Sequence, residues 1–518
     1  MLFVWVLSTK GSRDILPPMQ SKIHRGSRHI DPLIPAPLSI KSFVNFHHLG
    51  FSPATRKLAE DYVVKNRLED SIEILSGALI RQWKAHGHKY SPEKAYDVAY
   101  TLVYRLKTIE GKPLDFNHKP SPFQDTHRYY NTMTPKYKEL LRVLSLQAGP
   151  MAPECRASIC IPVAAVDEGP HIYRTLKSFL GQSAPSKSFE IALFVNCPKS
   201  RYEHPGVRNT LAEITRFKQN HPELQVAVCN ATLRGGTVER IGFVRSVATE
   251  VPLIRHMERK TGNEHFLFRC DADTTSVHPE YVEHYLKLFD SHPKTDAFTG
   301  ELRWSRDKYA EDPAVYLNAV LYDLLCAGHR IYSDKLVRYG GPNFAVRASM
   351  YAYVGGYREW DPIAEDINFR KALCELRNEY SSYESVAYAG SKSKLHTSTR
   401  RLEAATALGG AGIAQWTIPE IAFQEVDGVR RARHFGLRAA NRDEQVAQFE
   451  SLINSNLAGF TRFFEAFDVH SRAVEKVLGS YFGFEYEIKE DDRIKITNAD
   501  EFFRRWESLS KANPPEDQ

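Results

Sequence analysis

Four short apolar runs in the middle of the chain each end in a polar residue, and amphipathic segments separate them. The runs contain many small and β-branched residues, which is typical of strands that are buried on both faces of a sheet. Strands that alternate with helices favour a parallel α/β sheet, in which ligands bind at the carboxyl ends of the strands. The runs are Ala157–Val166 before Asp167-Glu168, Ile191–Val195 before Asn196, Leu224–Val228 before Cys229-Asn230, and His265–Phe268, which leads to Asp271.

The fourth run brings two aspartates, Asp271 and Asp273, to the edge of the predicted sheet. Two carboxylates so close in the chain repel each other unless a cation lies between them. Oxygen ligands of this kind suit Mg²⁺ or Mn²⁺, which often bind through one or two carboxylates and the phosphates of a substrate. Taken alone, the pair is equally compatible with a strand that ends in a turn.

Three further groups of residues follow. Glycine pairs at Gly340-Gly341 and Gly355-Gly356 would let a ligand approach the main chain, although two tight turns would also explain them. Glu365-Asp366 is a second acidic pair, and either carboxylate could cap the helix that it precedes. His396, a few residues before Arg400-Arg401, suits a metal ligand beside a charge clamp if a metal and a diphosphate bind nearby; elsewhere these would be surface residues.

The length of 518 residues is too great for one ordinary core, so more than one domain is expected. We predict a loosely ordered lead-in (1–50), a helical domain (51–155), an α/β domain (156–402) and a C-terminal helical region (403–518). In the second of these, Thr134-Pro135 opens a helix with Tyr137, Leu141 and Leu144 on one side, after a loop at Lys112–Met133 that is rich in Pro, His and Asn.

Composition limits the functions that the chain can have. The net charge of +6 is small and the 69 basic residues are spread along the chain, which argues against nucleic acid or a membrane surface as the main partner. No segment approaches the roughly 18 uncharged apolar residues of a membrane span. The seven cysteines form no C-x-x-C pair, which favours free thiols in a reducing compartment. We therefore expect a cytoplasmic protein.

Together these motifs resemble those of the nucleotide-sugar glycosyltransferases of family 2, which have the GT-A fold, a Rossmann-like and mostly parallel sheet. The resemblance extends from about Ala157 to Arg401 and rests on four motifs in the family order: Asp167-Glu168 after the first strand, the D-x-D of Asp271 to Asp273, the Gly-Gly segment, and Glu365-Asp366. The Q-x-x-R-W motif of processive polysaccharide synthases is missing, and only Gln415-Trp416 is present.

The resemblance implies a metal-dependent transfer of a sugar from a UDP- or GDP-linked donor to an acceptor hydroxyl, with inversion. Glu168 and Asn196 would lie near the base and the ribose of the donor. Asp271 would contact the ribose and the metal region. The residues that would border the sugar are Gly341, Asn343 and Gly356.

The same resemblance implies the metal and catalytic residues. Asp273, with Asp271, would bind Mn²⁺ or Mg²⁺, and His396 would be an additional metal ligand. Asp366, beside Glu365, would be the general base that deprotonates the acceptor hydroxyl. The cations that would neutralise the leaving diphosphate are Arg400 and Arg401, with Arg240 and Arg245 as weaker candidates.

Two other functions are compatible with parts of the pattern. Asp271, Asp273 and Thr275 also fit the D-x-D-x-T motif of haloacid-dehalogenase-like phosphatases, in which the first aspartate is the nucleophile. That motif normally opens its domain, whereas about three predicted strands precede it here. The second alternative is a non-catalytic protein that binds a nucleotide sugar with the same fold.

Overall fold

The computed structural model describes residues 33–41, 75–81, 84, 95, 121–133, 135–234, 241–306, 309–332, 343–357, 365–366, 369–370, 373, 386–407, 423–426, 429–432, 441–465 and 474–512. Its strands are β1 (Leu38–Lys41), β2 (Ala157–Ala164), β3 (Phe189–Pro198), β4 (Val226–Arg234), β5 (Phe266–Arg269), β6 (Thr274–Val277), β7 (Ala297–Thr299), β8 (Leu302–Trp304), β9 (Phe344–Arg347), β10 (Val386–Tyr388), β11 (Leu395–Thr397), β12 (Phe423–Val426), β13 (Val429–Ala432), β14 (Glu485–Ile488) and β15 (Ile494–Asn498).

The α-helices are α1 (Pro122–Thr132), α2 (Pro135–Ala148), α3 (Gly169–Lys177), α4 (Pro205–Asn220), α5 (Ile241–Glu258), α6 (Tyr281–Ser291), α7 (Pro313–Tyr332), α8 (Ala348–Tyr353), α9 (Arg400–Ala407), α10 (Arg442–Glu465) and α11 (Asp500–Ala512). A π-helix covers Glu475–Phe482. Among the residues described, no helix is long and apolar enough to cross a membrane.

An eight-stranded sheet in the order β1-β4-β3-β2-β5-β9-β7-β10 organises the molecule. Strands β1, β4, β3, β2 and β5 are parallel, β9 is antiparallel to both β5 and β7, and β10 is parallel to β7. From β2 the chain proceeds outward to β3 and β4 and then returns to the other side of β2 for β5. The strand order therefore reverses between β2 and β5. The predicted α/β class with a mostly parallel sheet is confirmed.

Helices cover both faces of the sheet. Alternate residues of the central strands point to opposite sides, so the apolar residues of one strand pack in both cores. On one face Ile159, Ile161 and Val163 of β2 pack in a core that includes residues of α3, α4 and α6. On the other face Cys160 and Phe194 belong to a core that includes residues of α2, α5 and α8. Strands buried on both faces explain the continuous apolar runs in the sequence.

The N-terminal segments belong to the sheet and its core. β1, within the predicted lead-in, pairs with β4 at the edge of the sheet. Helix α2 begins at the predicted Pro135, and its Tyr137, Leu141 and Leu144 lie in the core that also holds Phe243 of α5. The boundary predicted at residue 155 therefore does not separate two hydrophobic cores. The predicted loop before Met133 contains helix α1 instead.

The C-terminal region has a core of its own, formed by residues of α7, α10, α11 and the π-helix. Phe449 of α10 packs among Phe484, Phe502 and Phe503. This region was predicted to be helical, but it also contains the antiparallel pairs β12–β13 and β14–β15. Ile494 and Ile496 of β15 contribute to the core through the period-two alternation of a strand.

Candidate active site

Three acidic residues lie just beyond the carboxyl ends of β2 and β5, the strands on either side of the point where the strand order reverses. Glu168 directly precedes α3 shortly after β2, and Asp271 and Asp273 follow β5. Ligands of open α/β sheets bind in the crevice that such a reversal creates. The sheet topology therefore marks these carboxylates as a candidate site independently of any motif.

Asp273 is held by the segment that leads into α9. Its carboxylate accepts hydrogen bonds from the hydroxyls of Thr397 and Ser398, both at 3.2 Å. The guanidinium of Arg400, the first residue of α9, lies 3.1 Å from Oδ2 of Asp273 and donates a 2.6 Å hydrogen bond to Oε1 of Glu168. A single arginine thus joins the carboxylate that follows β2 to one that follows β5.

Glu168 combines burial with an unused acceptor. Burial raises the pKa of its carboxyl group to about 7, and the charge of Arg400 opposes this shift. Its Oε2 has no hydrogen-bond partner among the residues that the structure describes. The pKa of Glu168 therefore lies near neutral pH, and no described residue uses its buried Oε2 as an acceptor.

A second group of charges joins the predicted Glu365-Asp366 pair to the D-x-D segment. Arg245 of α5 forms an ion pair with Glu365, and its Nη2 also lies 3.5 Å from Oδ1 of Asp271. Arg269, the last residue of β5, lies 3.2 Å from Asp366 and 3.6 Å from Glu365. The side chain of Glu365 is 1% exposed and that of Asp271 is 20% exposed, so Asp271 is the more accessible of the two.

The pKa values of the two arginines of this group shift in opposite directions. Burial, together with the nearby charge of Arg269, lowers the pKa of Arg245 to about 10. Burial also acts against the charge of Arg269, but Asp366 and Asp271 outweigh it and raise the pKa of that guanidinium. Both side chains remain cations at neutral pH, and the structure supplies positive charge beside the carboxylates.

The structure does not bring His396 to the aspartates. Its Nδ1 lies 2.7 Å from the hydroxyl of Ser276 across the β6–β11 pair. The pairing of β11 with β6 shifts between His396 and Thr397, and Thr397 is the residue of β11 that contacts Asp273. Burial and then the charge of Lys394 lower the pKa of His396, so its imidazole is neutral at pH 7.

Asn343 has a structural set of contacts. Its Nδ2 donates to the carbonyls of Glu301 and Ser393, and its Oδ1 accepts hydrogen bonds from the hydroxyls of Tyr281 and Tyr285. The residue is 2% exposed. These four bonds use the donors and acceptors of the amide, so none is left for the sugar that the resemblance places there.

The remaining predicted residues make structural contacts or lie outside the described residues. Gly356 has a φ of +72°, and a Cβ there would meet the hydroxyl of Tyr129, so this glycine serves a turn and a close packing contact. Asn196 is buried in β3 and donates to the carbonyl of Val163. Gly341, Arg240 and Gln415-Trp416 lie outside the described residues, and of Arg401 only the place in α9 is described.

Asp271 and Asp273 are the residues suited to a divalent metal. Among the described residues, no three His, Cys, Asp or Glu side chains are grouped so that they could hold a metal ion. Mg²⁺, however, usually keeps several waters and binds through one or two carboxylates and substrate phosphates. The residues therefore fit a hard cation that arrives with a diphosphate, and they do not fit a metal held by the protein alone.

Four residues of the site are missing from the sequence-based predictions. Arg269 directly follows the predicted apolar run His265–Phe268 and is buried as the last residue of β5, and a buried charge next to such a run is a signal that it has a partner. Thr397 and Ser398 carry no pattern that distinguishes them from loop residues. His171 of α3 lies near Arg400, and burial followed by that arginine's charge lowers its pKa to about 4.

Comparisons with known proteins give only distant likenesses. No family model matches the chain, and no curated protein matches its sequence. A solved structure of S. aureus TarS 1–349 in complex with UDP is 16% identical, with a TM-score of 0.31 over 66% of this chain and 96% of that chain. Glucosyl-3-phosphoglycerate synthase from Mycobacterium tuberculosis, in complex with Mn²⁺, UDP-glucose and glycerol 3-phosphate, is 11% identical, with a TM-score of 0.26 over 57% of this chain and 94% of that chain. At TM-scores this low, these likenesses carry no argument about this chain.

Proposed function

We propose that this protein is a metal-dependent glycosyltransferase of the GT-A type, which transfers a sugar from a UDP- or GDP-linked donor to an acceptor hydroxyl. The observation that carries the proposal is the placement of Asp271 and Asp273 at the reversal of strand order, with Arg245 joining Glu365 to Asp271 and with Asp366 paired to Arg269 of β5. Carboxylates for a metal and a separate carboxylate for a base suit an inverting, metal-dependent transfer of a sugar from a nucleoside diphosphate.

On the donor side, Asp271 and Asp273 would hold Mn²⁺ or Mg²⁺ together with the diphosphate. When bound, the metal neutralises the negative charge that develops as the nucleoside diphosphate leaves. Arg245 and Arg400 add positive charge at the same edge of the sheet, next to Asp271 and Asp273 respectively. Glu168 would accept a hydrogen bond from the base or the ribose, and its Oε2, which no described residue uses as an acceptor, supports this role.

On the acceptor side, Asp366 is the proposed general base. A base takes the proton from the acceptor hydroxyl as the hydroxyl oxygen attacks the sugar, and the displacement inverts the configuration at that carbon. Arg269, 3.2 Å away, orients the carboxylate and shares its charge. Glu365 is held by Arg245 and is the less exposed of the pair, so it supports the arrangement while Asp366 reacts.

Turnover tests the proposal. With Mn²⁺ and a panel of UDP- and GDP-sugars, the wild-type protein is expected to release nucleoside diphosphate in the presence of an acceptor. Asp366→Ala should lower kcat by about 10²- to 10⁴-fold, the usual contribution of a general base. Asp290→Asn, which removes an exposed carboxylate paired with Arg156, is the matched control and should retain activity.

The alternatives give different results in the same experiment. Full activity of Asp366→Ala would show that another group is the base. Hydrolysis of a phosphomonoester that Asp271→Asn abolishes would identify a phosphatase with Asp271 as the nucleophile. Tight binding of a nucleotide sugar without turnover in any acceptor mixture would favour a binding protein.

A further inference from the structure

We propose that Arg400 is the resident counter-cation of Glu168 and Asp273, and that a divalent metal competes with its guanidinium for Asp273. The proposal rests on the proposed function only in taking Asp273 as a metal-binding carboxylate. It adds a role to Arg400 beyond the neutralisation of diphosphate. In the protein without donor, this arginine takes the place of the metal as the positive charge of the site.

The geometry leaves little room for two cations on one carboxylate. Oδ2 of Asp273 already receives Arg400 at 3.1 Å and the hydroxyl of Ser398 at 3.2 Å, and Oδ1 receives the hydroxyl of Thr397. A bound Mg²⁺ lies only about 2.0–2.1 Å from its ligand oxygens. A metal on Oδ2 would thus sit next to a guanidinium, which is a permanent cation and cannot act as a ligand.

Burial explains why a resident cation is needed. The side chains of Glu168 and Asp273 are 7% and 9% exposed, and two buried carboxylates without a nearby cation are strongly unfavourable. Arg400 contacts both carboxylates, at 2.6 Å and 3.1 Å, and a guanidinium is a permanent cation. Arg400 therefore remains charged and stabilises the site before any ligand arrives.

The arrangement also gives Arg400 a second position. Its shorter contact is with Glu168, at 2.6 Å, so it can leave Asp273 and remain tethered. A metal that arrives with a diphosphate would take Asp273, and the released guanidinium would be next to the incoming phosphates. Metal binding by the free protein is then weak, and the diphosphate is required for the exchange.

The test is a titration of the full-length protein with Mn²⁺ alone, followed by electron paramagnetic resonance of the free ion. Arg400→Gln removes the competing charge and should bind Mn²⁺ about tenfold more tightly than wild type, which corresponds to about 1.4 kcal/mol. Arg400→Lys keeps the charge and should remain close to wild type. Arg142→Gln removes an exposed arginine of α2 and should leave Mn²⁺ binding unchanged.

Equal or weaker binding of Mn²⁺ by Arg400→Gln overturns the proposal, as does equal tightening by Arg400→Lys. Arg400→Met is a second neutral variant in case the first does not fold. If both neutral variants are unfolded in chelator, recovery of the native circular dichroism with Mn²⁺ supports the exchange, and its absence overturns it. A failure of the proposed function appears separately, as a lack of nucleoside-diphosphate release by the wild type, because this titration uses no donor.

Discussion

Arg269 Nη1 lies 3.2 Å from Oδ2 of Asp366, and both side chains are almost completely buried. Arg269 is the last residue of β5, so the strand that leads to the D-x-D segment also holds the proposed base. This ion pair connects the two acidic motifs through β5, a central strand of the sheet. The relative position of donor and acceptor sites would thus be set by one strand.

Arg269→Gln should destabilise the protein by about 3–5 kcal/mol, because the carboxylates of Asp366 and Glu365 would stay buried without the positive charge of Arg269. Chemical denaturation measures the change in the free energy of unfolding. Asp366→Asn in the same background should recover part of the loss, since it removes the buried carboxylate that Arg269 faces. Additive losses in the double variant would mean that Arg269 acts through packing and not through the ion pair.

Glu250 of α5 makes the stability of the protein depend on pH. The hydroxyls of Tyr129, Tyr137 and Tyr351 donate to its buried carboxylate at 2.5, 2.6 and 3.2 Å, which ties α1, α2 and α8 to α5. Burial nevertheless raises the pKa of Glu250 to about 7. The folded protein therefore holds a proton that the unfolded chain releases at lower pH.

The sign of the effect follows from this raised pKa. The stability that Glu250 contributes is complete below the pKa of about 4.3 that its carboxyl group has in the unfolded chain. This contribution is lost as pH rises towards the pKa of about 7 that the group has in the folded protein. Relative to Glu250→Gln, wild type should lose about 3 kcal/mol of unfolding free energy between pH 4.5 and pH 8. Urea denaturation of both proteins across this range measures the difference. Parallel stability curves would show that Glu250 does not titrate with folding.

The parts of the fold predicted correctly depend on local sequence. The strands β2 to β5 appear as apolar runs because both of their faces are buried, and α2 is marked by Thr134-Pro135 and its helical spacing. The acidic residues after β2 and β5 could be placed together because the carboxyl ends of parallel strands meet at one edge of a sheet.

The parts that were missed depend on distant partners. β1 is a four-residue edge strand whose partner β4 lies far along the chain. Helix α1 occupies a stretch of turn-forming composition, and the Tyr129 hydroxyl reaches Glu250, 121 positions away in sequence. The side to which His396 points is set by the register of β11 against β6. No local pattern contains these pairings.

Gly356→Ala should be more destabilising than Gly181→Ala. The two glycines have nearly the same left-handed conformation, with φ of +72° and +73°, so the backbone strain of an alanine is matched. A Cβ at Gly181 has nothing within 4 Å, whereas one at Gly356 meets the hydroxyl of Tyr129. We expect a loss of about 1 kcal/mol for Gly181→Ala and about 2–4 kcal/mol for Gly356→Ala.

Urea denaturation of the two alanine variants measures this difference. A similar loss for both would show that backbone strain alone requires the glycine at position 356. Retention of donor binding by a folded Gly356→Ala would agree with a packing role and would argue against the contact with the sugar that the resemblance implies.

Substitutions of Asp271 and Asp273 should both weaken ligand binding but should differ in their effect on the free energy of unfolding. Asp273 bonds two hydroxyls and the partly buried Arg400, so Asp273→Asn should lower the free energy of unfolding by about 1–3 kcal/mol. Asp271 is 20% exposed and lies 3.5 Å from Arg245, so Asp271→Asn should change the free energy of unfolding by no more than about 0.5 kcal/mol.

Both variants should weaken binding of UDP with Mn²⁺ by about tenfold or more, a loss of about 1.4 kcal/mol. Calorimetric titration and urea denaturation of the same preparations measure the two effects. A large stability loss in Asp271→Asn would place that carboxylate in the architecture of the site, and unchanged UDP binding in it would remove it from the donor site.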